Sequence, residues 1–368
     1  MSEIIEQQSL IIVCGSGGVG KTTISAAIAL ALARQGKKSI VVTIDPAKRL
    51  AQAMGLAHLS ARPQKVTASV LEGMRGELWA MMLDAKTTFD ELIVRYAPSS
   101  EIREKILKNR IYQHVSSSLA GSQEYMAIEE VCELARGEKF DVIVLDTPPT
   151  HHALDFLGAP QRMIRFLDEG VIKWFFKPYF ALGRVGFSLL AGASGKVLRV
   201  LERLTGFEFL QDLSEFFFHF REMYDGFKER AQWVYDRLRS RDSVFVVVTA
   251  PERQSMRELK LFHRALKEGG MPFGGIIVNR VHLLGGGEEL VEALNEGVPA
   301  ELESAFEGVL EFWREYQGMV RYDARCLEEL EDLTGRSLPI RSVPHFEEEI
   351  SDLHGLDKMG GILFTEST

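Results

Sequence analysis

The stretch Leu10-Ile11-Ile12-Val13-Cys14-Gly15-Ser16-Gly17-Gly18-Val19-Gly20-Lys21-Thr22 decides how the rest of the chain is read. An unbroken aliphatic run ends in a glycine-rich turn, and the turn opens into a helical pattern over Thr23 to Gln35. Gly15 to Thr22 satisfies GxxxxGK[ST], and its place after a strand and before a helix gives the pattern a physical purpose. The backbone amides of Gly17, Gly18, Val19 and Gly20 can wrap phosphate oxygens, and the helix N-terminus adds partial positive charge. Lys21 brings an ammonium group to the terminal phosphates of a nucleotide, and the Thr22 hydroxyl brings an oxygen to Mg²⁺. The other glycine cluster, Gly285-Gly286-Gly287, is followed by Glu288 and lacks the Lys and the hydroxyl, so the chain carries one such loop.

Outward from the loop, short β-branched runs recur between longer amphipathic segments. They are Leu10 to Cys14, Ser39 to Ile44, Leu78 to Leu83, Asp141 to Leu145, Ser243 to Thr249, Gly275 to Val278 and Arg341 to Val343. Continuous apolar runs spaced by helix-length segments are the mark of buried parallel strands with crossover helices, so the expected fold is α/β with a doubly wound, mostly parallel sheet. Two intervals are too long for single crossovers: Lys86 to Lys139 reads as several helices, and His151 to Asp242 reads as helical and holds 13 of the 22 Phe. The expected organisation is one domain over residues 1–368 with helical insertions over approximately 86–139 and 151–242. The aromatic interval fits either a core layer packed on the sheet or a nucleotide-gated hydrophobic groove for an apolar helix or partner subunit. Its most apolar stretch, Val171 to Leu190, is interrupted by Lys173, Lys177, Pro178 and Arg184 and reads as soluble helices, not a membrane span.

Composition bounds the function classes. Hydrophobic residues make up 46% and charged residues 26% of 368 residues, as in folded soluble proteins. A net charge of −9 disfavours nonspecific nucleic-acid binding and anionic membrane surfaces. Cys14, Cys132 and Cys326 are isolated from one another, which fits neither a disulfide framework nor a CxxC metal staple; Cys14 and Cys132 read as core fillers. Met1 to Gln8 carries no signal-peptide pattern, so the expected compartment is the cytoplasm. The acidic runs Glu328 to Asp332 and Glu347 to Glu349 read as solvated helix faces.

Two carboxylates stand where open α/β sheets place their ligands, at the C-terminal ends of strands. Asp146 follows Val142-Ile143-Val144-Leu145 and Asp45 follows Ile40-Val41-Val42-Thr43-Ile44. Alone, each would read as a helix cap or turn residue; beside a phosphate loop, Asp146 suits Mg²⁺ binding and Asp45 suits orientation of the attacking water.

With the loop, the segments Asp45-Pro46-Ala47, Asp146-Thr147-Pro148-Pro149-Thr150 with His152, Pro251-Glu252 and Val343-Pro344 resemble the ArsA/Get3-like ATPases of the deviant Walker A class of P-loop proteins, in the right order along nearly the whole chain. The resemblance implies an Mg²⁺-dependent ATPase that binds ATP and ADP and works as a dimer. It implies that Asp45 positions or activates water, that Lys21 and the loop amides hold phosphates, that Thr22 and Asp146 serve Mg²⁺, and that Thr23 supports the α-phosphate. It further implies that Asn279 reads adenine with Pro344 and His345 beside the base, and that Glu252 reaches the partner's nucleotide.

The chain departs from that family at informative places. The family loop reads GKGGxGK[ST], and its first Lys crosses the dimer interface; that position is Ser16 here. Either Lys48 or Arg49 replaces it, or a related subunit that retains the Lys pairs with this chain. His151 stands where a Gly precedes His152 in the family and reads as a loop residue. Arsenite-pump subunits use a cysteine cluster and tail-anchored-protein targeting factors a zinc-binding CxxC; this sequence has neither, so no structural zinc is expected. The leading expectation is a nucleotide-gated ATPase that captures a hydrophobic helical client or partner subunit, with at most an indirect membrane role. The alternatives are a weakly hydrolysing regulatory subunit of a heterodimer, and an arsenite or anion pump-driving ATPase. A partitioning-type ATPase acting on DNA is disfavoured by the charge and by the absence of a basic amphipathic tail.

Overall fold

The computed structural model describes residues 1–44, 49–68, 71–118, 122–148, 158–165, 212, 216, 218–220, 223–283, 303–335 and 338–365. Asp45 to Lys48, Pro149 to His152, Val171 to Leu190 and Gly285 to Gly287 therefore lie outside the described residues. In chain order the elements are α1 (Ser2–Glu6), β1 (Leu10–Gly15), α2 (Lys21–Arg34), β2 (Lys38–Thr43), α3 (Arg49–Ala53), β3 (Gln64–Lys65), β4 (Glu77–Met82), α4 (Ala85–Tyr96), α5 (Ser100–Lys108), α6 (Arg110–Ser118), α7 (Ser122–Arg136), β5 (Val142–Asp146), α8 (Tyr224–Leu238), β6 (Ser243–Thr249), α9 (Arg253–Gly269), β7 (Phe273–Val281), α10 (Glu303–Thr334), β8 (Ile340–Pro344) and α11 (Leu353–Phe364). They divide into two compact units, Met1–Met82 with Glu138–Ala153 and Ser240–Thr368, and Leu83–Gly137 with Leu154–Arg239.

The first unit is built on an eight-stranded sheet ordered β3-β4-β2-β5-β1-β6-β7-β8. Every neighbouring pair is parallel except β3 with β4. All seven strands expected from the sequence are present, and the fold is the doubly wound, mostly parallel α/β sheet. The eighth, β3, is two residues long and antiparallel, too short to leave a periodic signal. All residues of β1, β5 and β6 are buried, which explains why they are apolar without alternation.

Helices cover both faces. Ile24, Ile28 and Leu32 of α2 share one core with Ile11, Val13, Val41 and Val144 of the sheet and with Leu356 and Met359 of α11. Gly360 permits this approach: a Cβ there would sit 3.1 Å from the Ala27 carbonyl oxygen and 3.2 Å from the Ala31 Cβ. At the rim the Arg34 guanidinium forks onto Asp357, at 3.0 and 3.2 Å, a half-exposed pair that contributes about 0–1 kcal/mol. Helix α9 touches β1, β6 and β7 and buries Met256, Leu259, Phe262 and Leu266, spaced to share one helix face. Burying such side chains stabilises by about 1.5–3 kcal/mol each, so these contacts, not helix propensity, hold the layers.

The second unit is helical. Asp84 caps α4 by accepting the Thr87 N–H at 2.6 Å, and Ser99 caps α5 by accepting the Ile102 N–H at 3.2 Å. Aromatic rings fill its centre: Phe89 and Tyr112 at 5.6 Å, Phe216 and Phe220 at 5.4 Å, and Phe220 and Phe227 at 5.0 Å. Phe216, Phe220 and Phe227 are thus core residues, the plainer of the two readings of the aromatic interval, whereas Phe218 is 51% exposed. Arg230, almost fully buried, donates to both Glu129 and Glu133, and Arg95 meets Glu133 at 2.8 Å. No helix among the described residues is long and apolar enough to cross a membrane.

One pH effect follows from this unit. Burial pushes the Glu130 carboxyl above its ordinary 4.5, Glu91 adds repulsion, and the Thr88 hydroxyl, at 3.4 Å, pulls the other way. The folded chain therefore holds that proton more tightly than the unfolded chain, so stability falls as pH rises from 4.5 through the elevated folded value. Glu101 and Glu104 shift downward through hydrogen bonds from Lys105 and Lys108. A carboxyl titration followed by NMR is expected to place the Glu130 midpoint above those of Glu101 and Glu104; the reverse order would contradict this account.

Candidate functional site

The phosphate loop leaves the C-terminal end of β1, with β5 on one side and β6 on the other. Gly18 and Gly20 take left-handed backbone at φ 79° and 91°. A Cβ on Gly18 would meet nothing within 4 Å, so that side of the loop is open, while a Cβ on Gly20 would lie 2.4 Å from Asn279 Nδ2. Helix α2 begins at Lys21 with no side chain capping its first turn. The Lys21 ammonium donates to the Ser16 carbonyl at 2.7 Å, curling back over the loop. Ser16 is itself buried.

Asp146 ends β5 and is buried beside the loop. Its Oδ2 accepts from the Thr22 hydroxyl at 2.7 Å and from the Thr43 hydroxyl at 2.9 Å. Thr147 donates its hydroxyl to the Val13 carbonyl at 2.9 Å, tying the segment after β5 to β1. A carboxylate and a hydroxyl are the oxygen donors that a hard dication prefers, and the ammonium with its left-handed glycine loop suits phosphate. The residues present therefore fit an Mg²⁺-nucleotide. Cys14 lies directly below; burial pushes its thiol up to about 12, against a hydrogen bond with Thr147, so it is a protonated core residue at neutral pH.

A second group of expected residues also converges. Thr23, Asn279, Pro344 and His345, drawn from α2, β7 and the end of β8, line one cavity of about 320 Å³ beside Gly20. Asn279 is turned onto the loop: its Nδ2 donates to the Val19 carbonyl at 2.8 Å, and its Oδ1 accepts the Arg280 N–H at 3.0 Å. Glu347 to Glu349 line this cavity too, on an exposed bend and not on the helix face expected from the sequence. Glu252 sits apart, in a neighbouring cavity of about 620 Å³, and Arg280 and His345 line both. Asp45, with Lys48, lies outside the described residues, and Arg49 opens α3.

Sequence reasoning missed Thr43, whose signal was a lone hydroxyl ending the aliphatic run Ile40-Val41-Val42. It also missed His282 and Asp323. His282 donates from its backbone N–H to Asp323 Oδ2 at 2.8 Å, and its Nδ1 lies 2.8 Å from the same oxygen. Nothing in the charge-rich sequence of α10 distinguishes Asp323 from its exposed acidic neighbours.

Residues 8–290 match the family described as anion-transporting ATPase. The chain is 26% identical over 362 residues to an ATPase ASNA1 homolog of Babesia bovis, spanning 95% of this chain and 89% of that protein. It is 26% identical over 361 residues to a candidate arsenical pump-driving ATPase of Aquifex aeolicus, spanning 96% and 78%. A shorter match, 33% over 165 residues, relates it to the ATPase get3 of Aspergillus terreus, spanning 44% and 46%. With the loop, the sheet and the matched span in agreement, this chain belongs to the anion-transporting ATPase family and is an ArsA/Get3-like ATP hydrolase.

Proposed function

We propose that the chain is a cytoplasmic, Mg²⁺-dependent ATPase that works as a nucleotide-gated dimer and couples its ATP state to binding of a hydrophobic protein client or partner subunit. The observation that carries the chemistry is the convergence of Lys21, Thr22 and Asp146 at the mouth of the glycine loop. In this reading the amides of Gly17, Gly18, Val19 and Gly20 and the Lys21 ammonium bind the phosphates, and Thr23 supports the α-phosphate. Thr22 and Asp146 hold Mg²⁺, which when bound neutralises charge on the phosphate oxygens. Asp45 orients the attacking water and takes its proton, while Pro344 and His345 flank the base beside Asn279. Catalysis is then chiefly positioning and charge stabilisation in a partly dry site. Glu252 reaches the nucleotide of the partner copy, and the helical segments 86–139 and 151–242 form the client or partner subdomain.

Ser16 favours a second reading, a weakly hydrolysing subunit that needs a related partner. A cation supplied across an interface accelerates phosphoryl transfer by about 10³–10⁵, and Ser16 supplies none. Arsenite-driven pumping has less support, because burial pushes the thiols of Cys14 and Cys132 up to about 12 and leaves them poor metalloid ligands. The test is ATP turnover per molecule across a range of protein concentrations, with Asp45→Asn as the blank. The leading reading expects turnover that rises with concentration and vanishes in the blank. Flat, blank-level turnover restored by Ser16→Lys would establish the second reading instead.

A further inference from the structure

We infer that His282 and Asp323 are positioning residues for the base of the nucleotide and act through His345. This role rests on reading the cavity of about 320 Å³ as the base pocket. The His345 backbone is anchored by its N–H to the Val281 carbonyl at 2.9 Å, and its ring stacks on His282, with centroids 5.2 Å apart and planes at 19°. His282 is itself held from several sides. Its Nδ1 and its backbone N–H both meet Asp323 Oδ2 at 2.8 Å, and Tyr316 packs edge-on against its ring at 5.8 Å and 85°. The Tyr316 hydroxyl is engaged in turn with the Leu283 carbonyl at 2.9 Å. Asp323 is 3% exposed, so this carboxylate is committed to His282 and does not face solvent.

The backbone explains how His282 comes to lie over His345. Between Val278 and Val281 the register of β7 against β8 slips, and Arg280 within the slip takes left-handed backbone at φ 61°. A bulge of this kind re-aims the side chains that follow it. His345 is one of two residues that line both cavities, and His282 covers it from the larger one. His345 also lines the smaller cavity, together with Pro344 and Asn279. A flat imidazole face held in a fixed plane is suited to stacking on a purine, and a carboxylate on Nδ1 fixes ring orientation and tautomer in the supporting histidine. Affinity for the base, not for the phosphates, is what this device controls.

The two contributions separate in a calorimetric titration of the full chain with Mg²⁺-ATP and, in parallel, with inorganic tripolyphosphate, which has phosphates and no base. His282→Ala is expected to weaken ATP binding about 3- to 10-fold and to leave tripolyphosphate binding within about 2-fold, with His282→Phe, which keeps a stacking face and loses the ring bond to Asp323, recovering only part of the loss. His345→Ala, an exposed position, should give the same selective loss and covers the case in which His282→Ala does not fold. Unchanged ATP affinity in both alanine variants, or an equal loss for both ligands, would overturn the proposal. If Lys21→Ala leaves both ligands bound as in the unaltered chain, the site reading itself falls and the base pocket with it.

Discussion

Replacing Lys21 with Ala is expected to lower ATP turnover by about 10²–10³ at saturating Mg²⁺, with the fold retained. Loss of a positioned charge in a site of low dielectric costs most where charge is greatest, on the terminal phosphate oxygens as the bond breaks. Lys21 is buried, and its ammonium rests over the loop on the Ser16 carbonyl, 2.7 Å away. The charge is thus pre-positioned and needs little reorganisation when phosphate arrives. Lys21→Arg should not restore activity, because a planar fork is larger than a compact ammonium and the enclosing loop is short. Steady-state turnover, measured alongside thermal unfolding, checks both halves of the expectation. Turnover within threefold of the unaltered chain would remove Lys21 from the catalytic account.

The largest expected effect on stability is in the helical unit, where Arg230→Ala should cost about 3–5 kcal/mol. The guanidinium serves Glu129 and Glu133 together, and Glu129 is 1% exposed, so deletion strands a carboxylate away from water. Glu133 keeps Arg95 at 2.8 Å, so the loss falls mainly on Glu129. The same argument predicts that the paired change Glu129→Met with Arg230→Met is close to neutral, since it removes both charges and keeps the volume. Trp233 lies 4.6 Å from the Arg230 guanidinium and reports on this region in urea unfolding followed by fluorescence. If the single change cost less than about 1 kcal/mol, the burial of the pair would have to be judged incomplete.

Much of the sheet was legible in the sequence, because parallel strands buried on both faces leave unbroken apolar runs such as Val142 to Leu145. The boundaries were less so. β7 begins at Phe273, two residues before the expected start, since Gly274 and Gly275 hide its beginning; it ends at Val281, past a bulge no periodicity announces. At the site, motif residues could be placed because each motif sits at a strand end: Lys21 and Thr22 after β1, Asp146 at the end of β5. Residues that support others from a distance could not. Asp323 is brought to His282 by packing of α10, and Thr43 is brought to Asp146 by the pairing of β2 with β5, which aligns the two residues. Such pairings are properties of topology and register, and a linear pattern does not contain them.

The central position of β1 also bears on how the chain is made. One of its partners is made long after it: Ser9 and Asp242, hydrogen-bonded where β1 and β6 begin, are 233 residues apart. At about 5–20 residues per second, a ribosome needs roughly 12–47 seconds to supply that second neighbour. Throughout that interval Leu10 to Cys14 is an aliphatic strand with an unpaired edge, the kind of segment that joins other chains when left uncovered. The strand that carries the phosphate loop is therefore also one that needs shelter during translation, and the sheet cannot close around it until β6 has emerged.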